Sequence, residues 1–266
     1  MNRTLRTFLR KATAIVCLFG YLAATVNPIY AVTITNGDIA ITGMKTNGSP
    51  DAFTFVTFVE LDAGTRIFFT DNGWTGSAFR GATSTDYDGS EGILVFEVKS
   101  GQTIAAGTVI NSTLGTGFTG YNFKAITGAG ALNTTTNVAF STSGDQVYAF
   151  SSSTSMPTTG NPLNNTGAMT HLAAMATTAS WTNASDSATG SEPISYTAGT
   201  SYRSNSVQNG STYFNVTTAL GANASLTKAQ WLTALGNSSN WSTGPRTATR
   251  ASARPTSASR NAGATA

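Results

Sequence analysis

Cysteine occurs once in the 266 residues of this chain, histidine once, and charged side chains make up only 10% of it. A single thiol cannot close an intrachain disulfide, so no cross-linked framework holds the fold. One Cys and one His also remove most metal and nucleophile chemistries. Charge this sparse excludes a coiled coil or a long solvated helix. What is present argues against a disordered chain, because aromatics reach 10% and gather in the first half. The length allows one domain of generous size, or two small ones, with a sizeable core.

The N-terminus indicates the compartment. Arg3, Arg6, Arg10 and Lys11 precede an apolar run from Ala12 to Val26, and Pro28 and the small Ala31 follow it. A basic segment, an apolar stretch and a small residue at the exit have the form of a secretory signal peptide, residues 1–31. The run is short for a permanent anchor, which needs about 20 apolar residues. Cys17 lies inside it after Val16, unlike a lipoprotein cysteine, and leaves with the peptide. The formal charge of +3 then misleads. Residues 32–244 hold seven basic side chains against all twelve acidic ones, a net of −5. Clustered Lys and Arg, which a nucleic-acid surface needs, are missing from that body.

Between Val32 and Phe150 the pattern is one of short strands and turns. Phe53–Leu61 is β-branched and aromatic on both alternation faces, as in a central strand covered on two sides. Arg66–Thr70 returns after Asp62-Ala63-Gly64, and Asn72-Gly73 reads as a turn. Ile93–Val98 and Thr108–Ile110 follow, and Val138–Phe140 is expected to form a hairpin with Gln146–Phe150 through Ser143-Gly144-Asp145. Leu172–Met175 reads as a short turn of helix, and Ser201–Val207 and Thr212–Val216 as weaker strands. Leu226–Leu235 places 226, 231, 232 and 235 on one helical face, with Ser225 as N-cap. This composes an all-β sandwich over 32–244 with a loop-rich second half, one short helix near its end, and a disordered basic tail at 245–266.

Several pieces carry a resemblance. They are Gly37–Met44, Phe53–Leu61 with Ala63-Gly64-Thr65, Phe69-Thr70-Asp71-Asn72-Gly73-Trp74, Glu91–Leu94, Ser141–Gln146 and Lys228–Trp241. Together, over about 33–244, they resemble an uncharacterised module of secreted bacterial multidomain proteins. Parts are similar to the bacterial lamin-tail domain, an immunoglobulin-like sandwich. The resemblance implies an extracellular surface or accessory role and carries no established catalytic residues. In place of the hydrolase domain or sorting anchor usual in that context, this chain has the basic tail.

Asp86-Tyr87-Asp88-Gly89-Ser90-Glu91 brings three carboxylates within six residues, hard oxygen donors suited to Ca²⁺, with Asp71 or the Asn72 carbonyl as further ligands. The metal-ligand candidates are therefore Asp86, Asp88 and Glu91. The plain alternative is a solvated loop with Glu91 paired to Arg80. Trp74, Phe79, Tyr87 and Tyr121 fall in turns, where aromatics can stack on sugar rings or anchor a protein; Trp74 folded back over an open end of the core is the plain alternative. His171, in a Thr/Ala-rich stretch without a nucleophile elbow, reads as a surface residue. Paired-carboxylate chemistry would draw on Glu60, Asp71, Asp86, Asp88 and Glu91. Threonine is abundant but never in the regular repeat that an ice- or mineral-binding face demands.

These features favour a secreted, non-catalytic surface or extracellular-matrix module for binding or adhesion. Its partner class is cell-surface polysaccharide or protein, with no nucleic acid and no membrane span after cleavage. The alternative is a secreted hydrolase, or an accessory module of one, using the loop carboxylates. N-terminal sequencing of exported protein should read from Val32, and an intact Met1 would refute the cleavage.

Overall fold

Runs rich in Phe, Ile, Val and Thr do become the strands of the protein, as their β-branched and aromatic side chains favour. The computed structural model describes residues 32–46, 51–80, 91–112, 119–126, 132–133, 138–142, 144–152, 163, 169–177, 201–203, 211–214 and 226–244. Its strands are β1 (Ile39–Lys45), β2 (Ala52–Thr57), β3 (Arg66–Thr70), β4 (Ile93–Val98), β5 (Val109–Asn111), β6 (Tyr121–Ile126), β7 (Leu132–Asn133), β8 (Gln146–Ser152), β9 (Met169–Ala176), β10 (Ser201–Arg203), β11 (Ser211–Phe214) and β12 (Trp241–Gly244). A helix, α1 (Lys228–Leu235), precedes the last strand. The fold is an all-β sandwich. One sheet runs β12-β11-β1-β2-β5 and is antiparallel throughout; the other runs β10-β9-β8-β3-β4-β6-β7, with only the β10–β9 pairing parallel.

Phenylalanines join the two sheets. Phe53 and Phe55 of β2 meet Phe69 of β3 at 4.7 and 5.0 Å between ring centroids, and Phe55 meets Phe96 of β4 edge-on at 5.4 Å. Strand alternation sends the next residues the other way. On the second sheet Phe68, Ile93, Val95, Tyr148 and Phe150 therefore form a separate outer cluster, closed by Trp74, Phe79 and Leu163. On the first sheet, Val56 alternates with Phe55, opposes Ala40 across the β1–β2 pair, and is fully buried. Trp231, Ala234 and Leu235 of α1 belong to the same core, with Trp231 6.3 Å from Phe58 and 5.8 Å from Phe214.

The sequence reading holds for the strands at 66–70 and 93–98 and for the core positions Phe53, Phe55, Phe69, Leu94, Phe96, Val147 and Tyr148, while Phe58 and Val59 are half-buried just beyond β2. Elsewhere it needs correction. Leu172–Met175 is not helical but lies within β9, paired to β8, where a bulge turns both Leu172 and Ala173 into the main core. Val138–Phe140 forms no strand with 146–150. Asn72-Gly73 is buried rather than a surface turn, and the tight reversal comes later, with Thr75 N–H donating to the Ala78 carbonyl and Gly76 at φ +99°. Helix α1 is capped by Thr227, whose hydroxyl accepts the Gln230 N–H while the Gln230 side chain accepts the Thr227 N–H. Ser225, the signal segment 1–31 and the tail 245–266 lie outside the described residues. No helix among the described residues is long and apolar enough to cross a membrane.

Truncating a buried Phe costs about 3–5 kcal/mol, whereas an exposed substitution stays within about 0.5 kcal/mol. Phe55→Ala should lose the larger amount in a denaturant titration and Val109→Ala, at a side chain 43% exposed, the smaller. An unchanged midpoint for Phe55→Ala would refute the packing of β2 against the second sheet.

Candidate functional site

Where β3 ends, the chain stays inside the protein, so its polar groups must be answered there. Asp71 and Asn72 are fully buried and Asp145 is 1% exposed. The Asp71 carboxylate accepts the Gly92 N–H at 2.6 Å on one oxygen and the Ala139 N–H at 2.8 Å on the other. The next two amides in the chain meet carboxylates as well. Phe140 N–H donates to Asp51 at 2.8 Å and Ser141 N–H to Asp145 at 2.6 Å. Three consecutive backbone donors thus hang on three aspartates. This is why 139–141 does not form a ladder with β8.

The neighbours lock these acids in place. Asp145 takes the Gln146 N–H on its other oxygen at 2.7 Å, and its backbone exchanges bonds with Thr177 at the end of β9. The Gln146 side-chain amide donates to the Asp71 carbonyl at 2.6 Å. Thr70 hydroxyl donates to the Gly92 carbonyl and accepts both the backbone and side-chain N–H of Asn72.

Burial dominates the electrostatics. It pushes the Asp71 carboxyl well above the usual carboxylate range, and the Glu91 charge adds to the effect against the two N–H donors. Burial likewise raises Asp145 to about 9, opposed by the Ser141 and Gln146 N–H groups and reinforced by Asp71 and Glu91. At neutral pH Asp145 is therefore a protonated acid inside a protein wall. Among the described residues, no group of three or more His, Cys, Asp or Glu is arranged to hold a metal ion.

Of the metal-ligand candidates, Glu91 is half-buried beside this cluster, and Asp86 and Asp88 lie outside the described residues, as does Tyr87. Glu60 is exposed and apart from it in the chain's turn before β3. The loop aromatics are not free surface. Trp74 and Phe79 are 8% and 2% exposed and contact each other at 5.0 Å. Trp74 covers the outer face of the second sheet rather than an open end of the core. Tyr121 opens β6 and packs on Phe96 at 5.4 Å. His171 sits in β9 and not on a loop, half-buried with its ring 4.5 Å from Trp74 and 5.7 Å from Phe79. An open depression of about 550 Å³ lies along α1, but its polar lining is taken up in capping: Gln230 with Thr227, Asn237 with Ser239, and Asn240 with the Ala234 carbonyl.

Sequence reasoning named Asp71 and Glu91 and missed Asp51 and Asp145 as members of the cluster. The available signal was an acid directly after an apolar strand (Asp71) and one directly before another (Asp145), positions where burial continues past the ladder. Together, fold and site define an all-β sandwich with a buried carboxylate cluster at the exit of its central strand. Compared with protein-family models, curated proteins and solved structures, the chain matches none.

The pH dependence has a definite sign. A group whose pKa is higher folded than unfolded stabilises the fold fully below the unfolded value and loses that contribution as pH rises through the folded one. For Asp145 the window runs from its ordinary value of 3.8 to about 9. The melting temperature should decline across it, and Asp145→Asn should flatten the decline whatever its own starting stability. A variant with the wild-type slope would remove Asp145 as its source.

Proposed function

We propose that the chain is a secreted, non-catalytic module that binds cell-surface polysaccharide or protein, of the immunoglobulin-like kind that its sequence resembles. The observation that carries this reading is the use made of Asp71. An acid poised for general acid–base work needs reach to a substrate proton. Here both carboxylate oxygens are closed to water and occupied by the Gly92 and Ala139 N–H groups. The carboxylate chemistry is spent on holding backbone. His171, under Trp74, is equally withdrawn from a triad role. The secretory reading of residues 1–31 supplies the compartment.

The test uses protein from Val32 onward, incubated with cell-wall polysaccharide and with intact bacterial cells. Saturable co-sedimentation without release of reducing ends or ester products is expected. Turnover that Asp71→Asn abolishes would replace this reading with the hydrolase, and absence of both binding and turnover would refute the binding role.

A further inference from the structure

We propose that His171 makes the hairpin from Trp74 to Phe79 an acid-released flap over the outer face of the second sheet. The hairpin is a small unit, closed by the Trp74–Phe79 bridge, by Thr75 N–H to the Ala78 carbonyl at 2.9 Å and by Arg80 N–H to the Gly73 carbonyl at 2.9 Å. The Thr75 hydroxyl donates to the Ala78 carbonyl and accepts the Ala78 N–H, so the turn is closed by its own hydrogen bonds. Its hold on the sheet is aromatic. Phe79 lies on Tyr148, Phe150 and His171 at 5.4, 5.5 and 5.7 Å, and Trp74 on His171 at 4.5 Å.

The imidazole is the one titratable group in that contact to change charge in acid. Its Nδ1 is buried and has no hydrogen-bond partner, and the Trp74 indole N–H is buried and unpartnered too. Neutral imidazole tolerates this environment. Imidazolium carries a hydrogen on both nitrogens, so its Nδ1–H would be a charged donor with no acceptor. The attraction of a cation to a ring face is smaller than that cost. No anion is among its neighbours in the outer cluster: Phe150 stands opposite on β8 and Tyr148 is neutral in acid, while Arg80 at the base of the hairpin is itself a cation. Burial alone lowers the imidazole from 6.5 to about 4, with no carboxylate among the described residues acting on it. Lifting the hairpin returns the imidazolium to water and breaks no ladder bond of β3, β8 or β9.

This goes beyond the binding role, since the flap opens whether or not a ligand is present. Hydrogen exchange of untagged protein, corrected for the intrinsic pH dependence, reads it between pH 7 and 3 at the Trp74 indole N–H, which is shielded by burial and by no hydrogen bond. Protection there should fall by up to tenfold per pH unit between about 6.5 and about 4, the imidazole values of the lifted and closed hairpin, and level off below, while the β3 and β4 amides stay protected. His171→Phe should hold the hairpin closed throughout. Because His171 is the sole histidine, its own titration by NMR gives a second check that needs no variant, and its midpoint, lowered to about 4, should mark where the loss of protection levels off. An unperturbed imidazole titration, hairpin exchange insensitive to it, opening of the whole core at once, or the same acid response in His171→Phe would each overturn the proposal.

Discussion

Three backbone donors in a row, at Ala139, Phe140 and Ser141, are answered by carboxylates, and the closed end of the sandwich rests on that arrangement. An amide buried without a partner costs about 1–3 kcal/mol, so a segment crossing the end of a core without a ladder needs acceptors from elsewhere. Asp51, Asp71 and Asp145 supply them from 89, 68 and 4 residues away. The first two are long-range ties of the kind a small secreted domain often makes with disulfides, made here by hydrogen bonds. Asp71 also reaches Gly92 ahead of β4, and Gln146 reaches the Asp71 carbonyl. One acid thereby ties together the ends of β3, β4 and β8.

The low charge of the chain has its explanation in the layers. A sandwich with solvated outer faces alternates apolar with polar along each strand. Here Phe68 and Phe69, and Ile93 through Phe96, are buried in unbroken succession because both faces of the second sheet are covered. Among the described residues ion pairs join Glu97 with Arg66 and Lys124, and Asp38 with Lys228, each partly open to water. Such exposed pairs contribute little to stability. The stability comes from area removed from water on four sheet faces, and the hairpin and α1 complete two of them.

That same coverage decided what could be read from the sequence. Continuous apolar runs at 66–70 and 93–98 declared themselves because burial on both faces leaves no other assignment at that length. Leu172–Met175 misled because a bulge in β9 disturbs the period of two, and small alanines carry no strand preference of their own. Val138–Phe140 looked like half of a hairpin because apolar alternation registers burial and not the identity of the hydrogen-bond acceptor. Trp74 and Phe79 were visible as loop aromatics, but the sheet face they cover is assembled from β8 and β9, far along the chain. In the carboxylate cluster, Asp71 and Glu91 stood out through their local context. Asp51 and Asp145 acquire their role only when the fold brings 139–141 past them.

The two sets of titrating groups in this structure pull in opposite directions. Asp71 and Asp145 are held above the ordinary carboxylate range by burial, with Glu91 adding to both and Asp71 to Asp145, so acid leaves them neutral. His171 is held below the ordinary imidazole range by burial, so acid places a charge beneath the Trp74 hairpin. Between about 4 and about 9 His171 is neutral and Asp145 protonated in the folded protein, and stability falls toward each end as the unfolded chain ionises what the folded one keeps neutral. Toward the alkaline end the cost falls on the closed end, where an ionised Asp145 meets Asp71 and Glu91. Toward the acid end it falls on the proposed flap, which is attached to the sheet by ring contacts and not by ladder bonds. Alkali therefore strains a part of the protein that three strand ends depend on, whereas acid strains a part that can lift away alone. A chain without disulfides tolerates the second more readily than the first, because opening the hairpin leaves the phenylalanine core between the sheets intact.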